Sequence, residues 1–233
     1  MSIKKFIGNT PIVKIKIRYK DKIVNVYSKL EYYNYTGSIK DRLANYIIKE
    51  SYKNGSLVKG MPIVEATSGN TGISFAALGA YYGHPVHIFM PNWASQERIN
   101  IMKLYGAKVY LVSKEEGGFK EAIRRADELA LKINGFRPDQ FNNILNVKAH
   151  YNGIGKEILK KVDKIDAYVS GIGTGGTLMG IAKRIKDELG IIPMQHFTCI
   201  CSQKQYIKDY LNEIEAMGLE NILALKEVIN MIW

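Results

Sequence analysis

The chain has 233 residues, 46% apolar and 24% charged, with a formal net charge of +11. That is enough for one large domain or two small ones sharing a core, and no apolar run reaches the roughly 18 residues of a membrane span. The start, "MSIKKFIGNTPIVK", carries charges without an apolar stretch behind them, and the two cysteines, Cys199 and Cys201, form no disulfide framework. A reducing cytoplasm is the expected compartment.

Apolar strand-like runs alternate with helical patterns along most of the chain. "KIVNVYSKLEY" alternates as a strand does. "SIKDRLANYIIKESYKNG" opens on Ser38, a residue able to cap a helix, carries Ile39, Leu43 and Ile47 at fourfold spacing, and stops at Gly55. "MPIVEA", "PVHIFMP", "AKVYLVS" and "AYVSGIG" read as short strands. After them come the helical stretches "NTGISFAALGAYYG", "SQERINIMKLYG", "FKEAIRRADELALKING" and "TGGTLMGIAKRIKDELG". Repeated strand–helix alternation predicts an α/β fold with a parallel sheet. There is no internal repeat and no low-complexity linker, so a second domain is expected to be interleaved with the first. The last forty residues differ. "MQHFTCICS" is a candidate strand, and the tail that follows is amphipathic, with Tyr206, Ile207, Tyr210, Leu211 and Ile214 at helical spacing.

The positive charge admits a nucleic-acid surface or solvated helix faces around a small-anion site. The lysines are scattered and not gathered with aromatics into one run, which favours the second. Gly171, Gly173 and Gly176 of "GIGTGGT" satisfy the glycine pattern of a dinucleotide turn. That reading also wants an acid at the end of the next strand, and "CICSQK" has none. A loop rich in Gly and Thr at a strand–helix junction suits a phosphate monoester, because backbone N–H groups and the positive end of the helix dipole point at it. A tight turn alone would also use such glycines.

Three further stretches carry chemistry. Lys40 of "TGSIKDR" sits in the first turn of a helix, where the dipole disfavours its protonated form. A lysine with a lowered pKa can form a Schiff base with a carbonyl cofactor, although the position also suits a solvated lysine. "EATSGNTG" groups Thr67, Ser68, Asn70 and Thr71 at a strand end, more donors than one helix cap requires. Gln140 of "RPDQFNN" can donate and accept, as an ordinary loop glutamine also can.

Together, "IGNTPIVKI", "TGSIKDR", "EATSGNTG", "FMPNWASQERINIMKLYGAKVYLVSKEEGGF", "QFNN…KAHY" and "GIGTGGTLMGIAK" resemble, in order, the cysteine synthase (O-acetylserine sulfhydrylase) family of fold-type II pyridoxal-phosphate enzymes. The resemblance runs from Ile7 to about Ile192. "TSGNTG" is similar to the cysteine synthase and cystathionine β-synthase branch, and unlike the "SAGNHAQG" of the dehydratases. It implies a three-layer, tryptophan synthase β-like α/β architecture with an incomplete large domain. Residues 1–40 and 146–192 would form the larger cofactor domain, 41–145 the smaller interleaved one, and 193–233 a divergent tail.

The resemblance also implies roles. Lys40 would carry pyridoxal 5′-phosphate and later move the substrate α-proton. Asn70 would bond the 3′ oxygen of the cofactor. Gly173, Thr174, Gly175, Gly176 and Thr177 would hold its phosphate. Thr67, Ser68, Thr71 and Gln140 would hold the substrate carboxylate. No metal is implied. The reaction would replace the acetate of O-acetylserine by sulfide, giving cysteine. A homodimer is implied when the large domain is intact, and serine acetyltransferase is a family partner. The late segment that gives a serine hydroxyl to the pyridine nitrogen is not recognisable after Ile192, so the tail is expected to replace some of that packing or to mark a frame change or truncation. Two alternatives stand beside cysteine synthesis: a relative that uses serine or homocysteine, and a shortened non-catalytic relative that binds cofactor or a partner protein.

Overall fold

The computed structural model describes residues 3–190, 194–198, 212 and 221–225. The chain forms two units, Met1–Ala149 and His150–Trp233.

The first unit opens with a hairpin, β1 (Ile12–Tyr19) and β2 (Lys22–Lys29), paired antiparallel over eight positions. Strict alternation puts Val13, Ile15, Ile17, Val24 and Val26 on one face and Lys14, Lys16 and Arg18 on the other. Helix α1 (Lys40–Lys53) follows. Then come β3 (Ile63–Ala66), α2 (Asn70–Tyr82), β4 (Val86–Pro91), α3 (Gln96–Leu104), β5 (Lys108–Val112) and α4 (Gly118–Lys132). The strands form a parallel sheet in the order β3-β4-β5.

Side-chain alternation along these strands builds a core on each face. Ile63, Ile88 and Met90 pack with Leu43 and Ile47 of α1, Phe75 and Leu78 of α2, and Met102 of α3. Val64, Ala66, Phe89 and Val112 pack with Ala122, Ala126 and Ala130, a small-residue stripe that lets α4 lie close to the sheet. The result is the expected three-layer arrangement. On the outer side of β3, Phe136 bridges Ile63 in parallel, with Val64 N–H donating to Phe136 O at 2.9 Å. This contact lays the following residues along β3, which places Arg137 and Gln140 beside its end. α5 (Ile144–His150) closes the first unit.

The second unit opens with a π turn (Tyr151–Gly155) and α6 (Lys156–Leu159), and then carries α7 (Gly176–Leu189). "AYVSGIG", expected as a strand, joins no ladder among the described residues, and Val169 in it is 79% exposed. A strand is defined by its neighbour, and β-branched composition does not supply one. β6 (Met194–Thr198) forms where a strand was expected. It pairs in parallel with β7 (Asn221–Leu225). "NILAL" thus forms a strand within the amphipathic tail, C-terminal to the residues read at helical spacing. Tyr206, Ile207, Tyr210, Leu211, Ile214, Cys199 and Cys201 lie outside the described residues. No helix among the described residues is long and apolar enough to cross a membrane.

Candidate active site

Lys40 is the first residue of α1. Ser38 serves that end from one position before the cap: its Oγ accepts the Lys40 N–H at 3.2 Å. Burial lowers the pKa of the Lys40 amine. The direction is the one expected from the sequence, and burial supplies a cause for it beside the helix N-terminus at which Lys40 sits. The next residue, Asp41, is fully buried. Its Oδ2 accepts from Thr36 N at 2.6 Å, and its Oδ1 accepts from the Thr36 and Ser74 hydroxyls, each at 2.6 Å. The Ser74 hydroxyl also lies 3.0 Å from Asn70 O. One carboxylate thus ties the Gly-containing turn before Lys40 to the first turn of α2. Two of the predicted cofactor residues, Lys40 and Asn70, are held through this tie.

The second cluster lies at the end of β3. Gly69 is the N-cap of α2, and its carbonyl accepts from Gly72 N at 2.9 Å and Ile73 N at 3.4 Å. The earlier N–H groups of Asn70 and Thr71 are free to meet an anion, as are the exposed Ser68 hydroxyl and Asn70 amide, which have no side-chain partner among the described residues. Thr67 is buried, and its Oγ1 accepts from Gly69 N at 3.2 Å, which shapes the turn. Thr71 is buried and donates to Gln140 Oε1 at 2.7 Å. That bond uses its only hydroxyl proton, so Thr71 supplies its backbone N–H and its hold on Gln140, not a hydroxyl donor. Gln140 donates from Nε2 to Ala66 O at 3.2 Å. A carbonyl can only accept, so the amide orientation is fixed and the second Nε2 hydrogen remains for a ligand. Thr67, Ser68, Asn70, Thr71 and Gln140 are therefore one constellation at the carboxyl end of a parallel strand, where open α/β sheets bind ligands.

Neighbouring charge completes this cluster. Arg98 of α3 donates to Ser68 O at 3.4 Å, and its guanidinium lies against Gly69. Glu65 is fully buried and bonds Arg137. Burial raises its pKa to about 7, with the Arg137 guanidinium opposing that rise.

The glycine loop stands at the N-terminus of α7 in the second unit. Gly175 is its N-cap at φ +79°, a conformation that favours glycine, and Gly176 is buried as its first residue. Gly171 and Gly173 are different: their φ lies outside the left-handed region, and a Cβ on either would meet nothing within 4 Å. Nothing among the described residues demands glycine there, whereas a phosphate seated on the loop would. Thr174 Oγ1 lies 3.4 Å from Gly176 N. Thr177 Oγ1 lies 3.2 Å from Nε2 of the buried His150, which steadies that hydroxyl at the helix start. Each taken by itself, the desolvated Lys40 amine of the first unit fits a carbonyl and the glycine loop of the second fits a phosphate, so the residues present fit a phosphorylated carbonyl cofactor. Among the described residues no cluster could hold a metal ion.

Sequence reasoning singled out the candidate residues at the two glycine turns and missed the residues that support them: Asp41, Ser74, Glu65, Arg137 and His150. A signal for Glu65 existed, because a carboxylate inside the apolar strand "MPIVEA" needs a partner.

Residues 3–209 match the family described as pyridoxal-phosphate dependent enzyme. The chain is 42% identical over 189 residues to a cysteine synthase from Staphylococcus aureus, covering 80% of this chain and 61% of that protein. The structure of a hydrogen sulfide-producing enzyme from Fusobacterium nucleatum is similar with a TM-score of 0.84 at 40% identity, over 96% of this chain and 72% of that one. An O-acetylserine dependent cystathionine beta-synthase from Helicobacter pylori is similar with a TM-score of 0.77 at 33% identity, over 84% of this chain and 66% of that one. The chain spans about three fifths of the length of the curated relatives it matches. The matched span, the identity and the shared fold agree: the chain belongs to the pyridoxal-phosphate dependent enzyme family.

Proposed function

We propose that the chain carries out β-replacement on an activated serine, converting O-acetylserine and sulfide to cysteine and acetate. The observation that carries this reading is the pair of clusters in the first unit. A partly desolvated Lys40 is tied through Asp41 and Ser74 to the helix start at Asn70, and the free donors of Ser68, Asn70, Thr71 and Gln140 converge at the end of β3.

Pyridoxal phosphate, when bound, supplies an electron sink that makes the substrate α-proton removable and the β-acetoxy group able to leave. The chain does the rest. Gly173, Thr174, Gly175, Gly176 and Thr177 would hold the phosphate, and Lys40 would hold the carbonyl carbon until the substrate amino group displaces it and frees its amine. Asn70 donates to the phenolic oxygen and keeps the ring aligned. Ser68, the N–H groups of Asn70 and Thr71, and Gln140 Nε2 grip the α-carboxylate, with Thr67 shaping the turn. This would set the α-proton against the freed Lys40 amine, and the burial that lowers its pKa favours the neutral, proton-accepting form. The C–O bond to acetate breaks as that proton leaves. Sulfide then forms the C–S bond, and Lys40 returns the proton to the α-carbon.

Cysteine formation from O-acetylserine and sulfide, measured with pyridoxal phosphate present, tests the reading. Turnover with O-acetylserine that is absent with serine supports it, and turnover with serine alone overturns it. A second reading has support in the Helicobacter pylori relative: the same activated serine accepts an amino-acid thiol, and homocysteine in place of sulfide then gives cystathionine. We further propose a homodimer in the cytoplasm.

A further inference from the structure

We propose that Glu65 is a positioning residue for the Gln140 amide, so that affinity for the substrate α-carboxylate responds to the charge on Glu65. The inference rests on the assignment of Gln140 to that carboxylate.

The geometry runs along the end of β3. Oε1 of Glu65 accepts from its neighbour Ala66 N at 2.8 Å and from Arg137 Nη1, while Oε2 accepts from Gln140 N at 3.3 Å. Arg137 is held in turn by Asp127 of α4, Nε to Oδ1 at 2.8 Å. Asn146 Nδ2 donates to Gln140 O at 3.0 Å. The Gln140 backbone is thus fixed on both sides, by a carboxylate at its N–H and an amide at its carbonyl. Its side chain spans Thr71 Oγ1 and Ala66 O, so a small shift of this backbone breaks both contacts and turns the remaining Nε2 hydrogen away from the ligand. Glu65 touches neither substrate nor cofactor, and it acts through Gln140.

Charge makes the grip adjustable. The charged groups facing Glu65 among the described residues are Arg137 and, behind it, Asp127. Across the ladder its partner is Ile88 of β4, and the Thr71 side chain reached through Gln140 is neutral. Burial places the titration of Glu65 at about 7. When ionised, Glu65 accepts charge-assisted bonds from Gln140 N and Arg137. When protonated, it loses acceptor strength and leaves Arg137 facing a neutral acid. Affinity for O-acetylserine therefore rises as pH increases through that value and levels off above it.

The test uses the protein loaded with pyridoxal phosphate and follows its visible absorbance as O-acetylserine is added, at several pH values from about 6 to about 8. Glu65→Gln is expected to weaken apparent affinity about tenfold at the upper pH, with kcat at saturation nearly unchanged, and the gap to the unaltered protein is expected to close at the lower pH. Comparing the two proteins cancels the ionisation of the substrate amine, which is common to both. Arg137→Met removes the opposing cation and is expected to move the midpoint of the affinity transition to higher pH. It also supplies the test if Glu65→Gln does not fold. Gln140→Ala separates the two levels of the proposal. If it weakens affinity while Glu65→Gln leaves affinity intact, the positioning role is overturned and the carboxylate assignment stands. If Gln140→Ala itself leaves affinity intact, both are overturned. A gap between Glu65→Gln and the unaltered protein that does not change with pH, or an Arg137→Met midpoint that does not move, also overturns the inference.

Discussion

Gly79 sets two physical effects of opposite sign against each other. It lies inside α2, where alanine is favoured over glycine by about 1 kcal/mol through backbone entropy. A Cβ at this position would stand 2.2 Å from Val86 Cγ2 and 3.3 Å from His84 O. Carbon atoms in contact settle at about 3.5–4.0 Å, so α2 and β4 would have to part by more than an ångström, or Val86 would have to leave its rotamer. Val86 is buried and its β-branch is stiff, and His84 O belongs to the backbone. Overpacking of this kind costs typically 1–3 kcal/mol, and a clash this close belongs at the upper end. Gly79→Ala should therefore destabilise by about 1–2 kcal/mol after the helix gain is subtracted. Urea unfolding followed by circular dichroism measures it. Val86→Ala loses buried methyls on its own, but it should tolerate Gly79→Ala far better, giving a favourable coupling in the double-mutant cycle. A stabilising Gly79→Ala, or a cycle with no coupling, would refute the close approach of α2 to β4.

Three other outcomes follow from the structure. Asp41→Ala strips acceptors from Thr36 N and two hydroxyls, of which Ser74 can turn to Asn70 O; a loss of about 2–3 kcal/mol in urea unfolding is expected, and a change below about 0.5 kcal/mol contradicts the tie. Glu65 binds its proton more tightly folded than unfolded, so its contribution to stability is full below about pH 4.5 and declines as pH rises to about 7; Glu65→Gln should remove on the order of 3 kcal/mol of that decline, and an unchanged pH–stability curve speaks against the burial. Gly173→Ala should leave the melting temperature of the cofactor-free protein unchanged while weakening pyridoxal phosphate binding at least about tenfold, because the space its methyl fills is open; a lowered melting temperature with unaltered binding would show that the glycine serves the fold alone.

The sequence revealed these features unevenly, for physical reasons. "MPIVEA", "PVHIFMP" and "AKVYLVS" were legible because each is a short apolar run bounded by turns, and each forms a buried or half-buried strand of one parallel sheet. The helices between them were legible from their period and their glycine ends, as at Gly83 with φ +78°. "AYVSGIG" has the same composition without a ladder, since pairing is a property of two segments. "NILAL" sits in an amphipathic stretch that fits either period, and its pairing with β6 decided the outcome. The strand "IVKIKIRY" was noticed only as part of a family motif, although its alternation is as regular as that of its hairpin partner. Within the candidate site, the polar clusters at glycine turns stood out in the sequence. Their supports did not, because Asp41 reaches Ser74 and Glu65 reaches Gln140 across 33 and 75 positions of chain.

The central claim is that Lys40 holds pyridoxal phosphate and passes it to an activated serine. It is tested most directly by purifying the chain with pyridoxal phosphate, recording visible absorbance, and adding O-acetylserine, in parallel with Lys40→Ala. The account predicts a visible band in the unaltered protein that shifts on addition of O-acetylserine and is changed or lost in Lys40→Ala. A folded protein without the band, or a band and a response that Lys40→Ala leaves intact, would contradict it.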